Sequence, residues 1–99
     1  MVNLTVDIDG TEVRLEQVLV DSGFVGSVGV QLPLAHIRLA RRTETIPLEL
    51  ADGTPRSRQG VFARIVAIED KRLKQPIDTW FVFSEGSSLL GTAVLGLVQ

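Results

Sequence analysis

The chain has no cysteine and no tyrosine, and it carries one histidine, one tryptophan and one methionine. Without cysteine there are no disulfides, no thiolate metal sites and no cysteine nucleophile. With a single histidine, His36, a metal site would have to be all-carboxylate, and Asp7 and Asp9 read instead as the flanks of a turn. No metal and no cofactor is therefore expected. Ser22, Ser27 or Ser84 as a nucleophile would have only His36 as its base, and His36 lies in an apolar stretch where a surface or half-buried place is the simpler reading. No charge of one sign dominates: the net charge is −2. The basic residues Arg41, Arg42, Arg56, Arg58, Lys71, Arg72 and Lys74 fall in separate segments interleaved with acids, so no nucleic-acid face is expected. No apolar run approaches a bilayer's width, and Met1–Asp7 lacks the basic region and apolar block of a leader. The expectation is a soluble cytoplasmic protein without a membrane partner. Gly23, Gly26 and Gly29 do not form a phosphate loop: the spacing is wrong, no Lys-Ser/Thr follows, and Val28 and Val30 favour a strand over the required helix.

What the chain does have is Val, Leu and Ile along its whole length. At 99 residues and 44% hydrophobic it has enough for one core and too little for two, so residues 1–99 are expected to form one domain. Val2, Leu4, Val6 and Ile8 alternate with polar residues, which is the period of a half-buried strand. Asp9-Gly10 supplies a hairpin turn, because both residues tolerate positive φ. A second strand runs from Thr11 into Val18-Leu19-Val20, an unbroken apolar run that predicts a strand end buried on both faces. Extended structure resumes at Val28. Pro33 suits the first turn of a short helix over Leu34–Leu39, although Leu34, Ile37 and Leu39 also fit a strand. Ile46, Leu48 and Leu50 alternate up to Ala51-Asp52-Gly53-Thr54, a hairpin signal, and a return strand passes Gly60 to Ile68. Glu69–Arg72 reads as a polar turn, followed by strands at Leu73–Ile77 and Trp80–Phe83, the latter strand core and not a base-stacking platform. Thr92–Leu95 reads as one or two helical turns, and Leu97-Val98 as a final strand. Short strands at close spacing with one or two helical turns predict an all-β sandwich or barrel.

Chemistry concentrates in Asp21-Ser22-Gly23, at the mouth of a buried strand. A carboxylate there is held by the scaffold, and Gly23, lacking a Cβ, lets an extended peptide approach. Hydrolysis by carboxylates takes two of them sharing one proton, one drawing a proton from attacking water and the other donating to the carbonyl oxygen. The chain holds one such motif, so a second Asp21 would have to come from a second copy across a two-fold axis. Alone, the tripeptide is also ordinary turn chemistry.

The rest of the chain resembles the retropepsin-like aspartic proteases, the single-domain group of retroviral, retroelement and bacterial enzymes. Val18-Leu19-Val20-Asp21-Ser22-Gly23 resembles the family's apolar run and catalytic Asp-(Thr/Ser)-Gly. Gly26-Ser27 and Leu32-Pro33 resemble bacterial members, Leu50-Ala51-Asp52-Gly53-Thr54 sits at the place of the flap hairpin, and Leu89-Leu90-Gly91 resembles the apolar-apolar-Gly before the family's short helix. The resemblance spans nearly the whole chain. It implies a closed all-β acid-protease barrel with a flap hairpin, acting as a homodimer on a peptide or protein substrate. Asp21 would be the catalytic carboxylate, Ser22 would brace the two catalytic loops across the dimer axis, and Gly23 would offer its carbonyl to substrate. Asp52 and Gly53 would lie near the flap tip, and Leu90 and Gly91 would pack beneath the catalytic loop. Phe24 stands where viral members carry Ala, which narrows the adjoining substrate pocket. Only Thr92–Gln99 follow Gly91, which is short for the strand that knits the viral dimer, so dimerisation is expected to be weak or differently built. The alternative is a catalytically weak or inactive dimerisation or peptide-binding module on the same fold.

Overall fold

A computed structural model describes residues 1–21, 28–49, 53–91 and 94. Seven strands form one sheet: β1 (Val2–Ile8), β2 (Thr11–Asp21), β3 (Val28–Pro33), β4 (Glu44–Glu49), β5 (Pro55–Ile68), β6 (Lys71–Ser84) and β7 (Leu89–Gly91). The strand order is β1-β2-β7-β3-β6-β5-β4, and β5 also pairs with β1. Six strands thus close into a barrel, while β4 hangs outside the ring on β5. The protein is all-β, as the strand periodicity predicts. Among the described residues, no helix is long and apolar enough to cross a membrane.

Alternation decides which side chains face inward. Leu4, Val6 and Ile8 of β1 meet Leu15 and Val18 of β2, Val30 and Leu32 of β3, and Ile65, Phe81 and Phe83 of β5 and β6 in one core. Among the described residues no polar or charged side chain is buried, so the interior carries no unpaired charge to be offset.

Local chemistry sets the turns. Asp9 and Gly10 take φ of 50° and 91°, the two positive values of a tight hairpin turn, and the Gly10 N–H donates to Asp7 Oδ1 at 2.9 Å. Glu69 and Asp70 repeat the pattern at 52° and 62°. The expected four-residue turn is therefore only two residues long, with Lys71 and Arg72 already in β6. Arg72 is held there by a bidentate bond to Glu12, at 2.8 and 3.1 Å. Arg14 grips Asp70 in the same way at 2.9 and 3.0 Å and also pairs with Glu16. Hydrogen bonding to these guanidinium groups lowers the Glu12 and Asp70 carboxyls below their ordinary values.

Register breaks fall where backbone chemistry requires them. Val2 pairs with Val18 but Leu4 with Leu15, so β2 carries one extra residue, and Gln17 there has φ of 57°. Asn3 stitches this bulge to the β5–β6 turn: its Oδ1 accepts from the Gln17 N–H at 3.1 Å and its carbonyl from the Glu69 N–H at 2.8 Å. The two strands expected at Leu73–Ile77 and Trp80–Phe83 are one continuous β6. Its register jumps from Ile77 opposite Ile65 to Arg72 opposite Ala67, a bulge containing Pro76, which has no N–H for the ladder. The sequence pattern puts the break at Asp78-Thr79 instead, and there the ladder is unbroken, with Asp78 opposite Arg64 and Thr79 opposite Ala63. Leu34–Leu39 forms a 3₁₀ helix after Pro33. Of Thr92–Leu95 only Val94 is described, and it is buried in the core; Leu97-Val98 lies outside the described residues.

Candidate functional site

β2 runs parallel to β7, with Leu19 opposite Leu89, Val20 opposite Leu90 and Asp21 opposite Gly91. The other edge of β7 is antiparallel to β3, with Val30 opposite Leu90 and Gln31 opposite Leu89. The three-residue strand β7 is thus wedged between two strands that are consecutive in the chain. Leaving β2 at Asp21 and re-entering at Val28, the chain passes from one side of β7 to the other, a span of about 10 Å at two strand spacings. The wedge is held by its middle residue: Leu90 is fully buried in the core, and the Leu19 N–H donates to the Ser88 carbonyl at 3.1 Å where β7 begins. Asp21 therefore ends a strand hydrogen-bonded to the segment Leu89–Gly91. Two motifs singled out in the sequence are brought side by side.

The surface around this strand end is apolar. Val18 is fully buried and Val20 half-buried, but Leu19 is 48% exposed. The expectation that the run is buried on both faces is corrected: the barrel covers one face and leaves Leu19 open beside half-buried Leu89. Next to it lies a second, smaller cluster outside the barrel wall, where Val28, Ile46 and Val82 are buried and Leu48 and Trp80 pack against them. Ile46 and Leu48 belong to β4, so the β4–β5 hairpin lies over the outer face of β3 and β6. Gly60, where β5 leaves the barrel, makes this approach possible. A Cβ there would stand 2.6 Å from both Ile46 Cγ1 and the Phe81 carbonyl oxygen.

The hairpin's last pair is Glu49 with Pro55, and Gly53 between them is exposed with φ of 86°. That value is the left-handed conformation its residue type favours. Ser22, Gly23, Phe24 and Asp52 lie outside the described residues. Among the described residues no three His, Asp or Glu side chains converge as metal ligands. His36 lies on the 3₁₀ helix, half-buried, with Nδ1 enclosed and without a hydrogen-bond partner.

Sequence reasoning missed the outer cluster, although a signal was available. Trp80-Phe81-Val82-Phe83 is apolar without interruption, so the strand must be covered on both faces. Phe81 and Phe83 point into the barrel while Trp80 and Val82 meet the hairpin. Comparison with family models, with characterised proteins and with solved structures finds no match.

Proposed function

We propose that the protein is an aspartic endopeptidase of retropepsin type, active as a homodimer in which each subunit supplies one Asp21. One observation carries the reading: Asp21 ends β2 in register with Gly91 of a strand wedged between β2 and β3. Such a strand end is a rigid mount for a carboxylate, fixed by ladder hydrogen bonds on the β7 side and by core packing of Val18 beneath. The hairpin over Val28, Trp80 and Val82 supports the reading, since a two-stranded cover at the same end of the sheet as the Asp21 strand end suits closure over an extended peptide.

In the reaction, two Asp21 carboxyls share one proton because two like charges at contact cannot both ionise. The ionised carboxylate takes a proton from water as the water oxygen bonds to the peptide carbonyl carbon. The protonated one gives its proton to the carbonyl oxygen, forming a neutral gem-diol. Collapse of the diol breaks the C–N bond, with a proton passing to the departing nitrogen and the second carboxyl recovering its own. Exposed Leu19 and the apolar outer cluster favour apolar side chains on the substrate.

The test is cleavage of an unstructured peptide library between acidic and neutral pH, at concentrations where a dimer is established by sedimentation. Wild type cleaves and Asp21→Asn loses at least about 10³-fold in rate while its melting temperature is retained. Equal cleavage by both proteins, or none by the wild-type dimer, overturns the proposal. Peptide binding without cleavage by either would instead identify a binding module on this fold.

A further inference from the structure

Phe62 is 55% exposed, on the outer face of β5, and stacks edge-on against Trp80 with ring centroids 5.3 Å apart. Beside it opens a groove of about 430 Å³ between the β1–β2 turn and the β5–β6 wall. Phe62 and Ala63 supply its apolar part; among the described residues, Asp7, Asp9, Asp78 and one cation, Arg64, supply the charge. Arg64 lies opposite both Asp7 and Asp78 in the ladders, and its Nε donates to Asp78 Oδ1 at 3.1 Å. Three carboxylates thus line the groove with one guanidinium, which pairs with Asp78. Asp7 Oδ1 accepts from Gly10 and Asp9 Oδ2 from the Arg41 N–H at 2.6 Å, which leaves the second oxygen of each without a partner among the described residues.

We propose that this groove docks an extended polypeptide segment carrying a Lys or Arg beside an apolar side chain; resting on the peptidase reading, the segment is the tail of the substrate. The occupant follows from complementarity: the unbalanced charge is negative, and the exposed surface next to it is aromatic. Its path follows from register. Val28, at the same end of the sheet as Asp21, lies opposite Trp80, Trp80 opposite Phe62, and Arg64 opposite Asp7. From Val28 to Asp7 is therefore three strand spacings and two residues along β5, about 16 Å, which about five extended residues bridge. A chain running from Val28 across Trp80 and Phe62 would bring its fifth or sixth further residue into the acidic groove.

Trp80 is the chain's single tryptophan, so its fluorescence reports occupancy at Phe62 directly. The probe is the blocked peptide Ala-Leu-Arg-Leu-Ala, titrated into Asp21→Asn protein so that cleavage does not intervene. Saturable binding is expected, weakened by salt and weakened about fivefold when Gln replaces the peptide's Arg. Asp7→Asn/Asp9→Asn keeps both acceptor oxygens and tolerance for positive φ. It should melt at the wild-type temperature yet bind the Arg peptide about fivefold more weakly, and Phe62→Ala should weaken both peptides. No binding, equal affinity for the Arg, Gln and Glu peptides, or a Trp80 change that follows protein concentration without peptide overturns the groove. In the wild type, a library substrate extended by the basic tail should show a KM about fivefold lower at unchanged kcat. Arg-dependent binding with no cleavage of any peptide keeps the groove and overturns the peptidase reading; cleavage without Arg-dependent binding does the reverse.

Discussion

The molecule has two hydrophobic clusters, and they are enclosed in different ways. The inner one, from Leu4 to Val94, is surrounded by a ring of six strands with no open edge. The outer one, Val28, Ile46 and Val82, is covered by a single hairpin whose β4 pairs with β5 alone. Opening the inner cluster means breaking ladders on both sides of a strand. Opening the outer one means only lifting Ile46 and Leu48 away from β3 and β6. The same apolar chemistry is thus enclosed by a closed ring in one place and by one hairpin in the other, and the second is expected to open more easily, because stability against local opening depends on how many ladders enclose a contact.

Substitutions can break that comparison. Phe81→Ala removes a fully buried ring from the inner cluster and should cost about 4 kcal/mol, a large part of the roughly 5–15 kcal/mol that holds a domain folded. Urea unfolding would show this as a drop in midpoint at an unchanged slope. Ile46→Ala in the outer cluster should cost only about 2 kcal/mol, since the hairpin can settle into the space. Its signature is local: amides of β4 and of residues 55–59 should exchange faster while those of β1 and β6 hold their protection. Uniform loss of protection would show the two clusters to be one cooperative unit. Asn3→Ala sharpens the inner side by freeing the Gln17 N–H and should cost about 1 kcal/mol, measured by thermal melting.

The smallest effect concerns the ion pairs. Glu12 and Asp70 have folded-state carboxyls lowered by hydrogen bonds from Arg72 and Arg14. A lowered carboxyl stabilises the fold above its unfolded pKa, and that contribution is lost as pH falls through the folded value. Both pairs are solvent-exposed, so Arg72→Gln should lower the melting temperature slightly at neutral pH, with the difference vanishing in acid. A difference that grew on acidification would contradict the assigned pairing.

Much of the inner cluster was legible in the chain. Alternation in Val2–Ile8 identifies the inward face, and Asp9-Gly10 announces its own turn. Registers were not legible, because a bulge at Gln17 or Pro76 is set by partners on other strands. The candidate site divides in the same way. Asp21 and Leu89–Gly91 are recognisable as segments, but their adjacency is a property of the sheet order. The outer cluster and the acidic groove depend on which strand faces lie opposite one another. Nothing local in Phe62 or Asp78 marks them as neighbours of Asp7.

The wedge of β7 between β2 and β3 also orders events in time. Val20 and Leu90 are ladder partners across 70 positions of chain, and such long closures are among the slow steps of folding. During synthesis β1 and β2 can pair while the remainder is still being made, yet the Asp21 strand lacks its β7 neighbour until residue 91 has emerged. A nascent or truncated chain ending before Leu89 therefore has the aspartate without its mount. The strand that ends in Asp21 gains its β7 ladder only after residues 89–91 have been made.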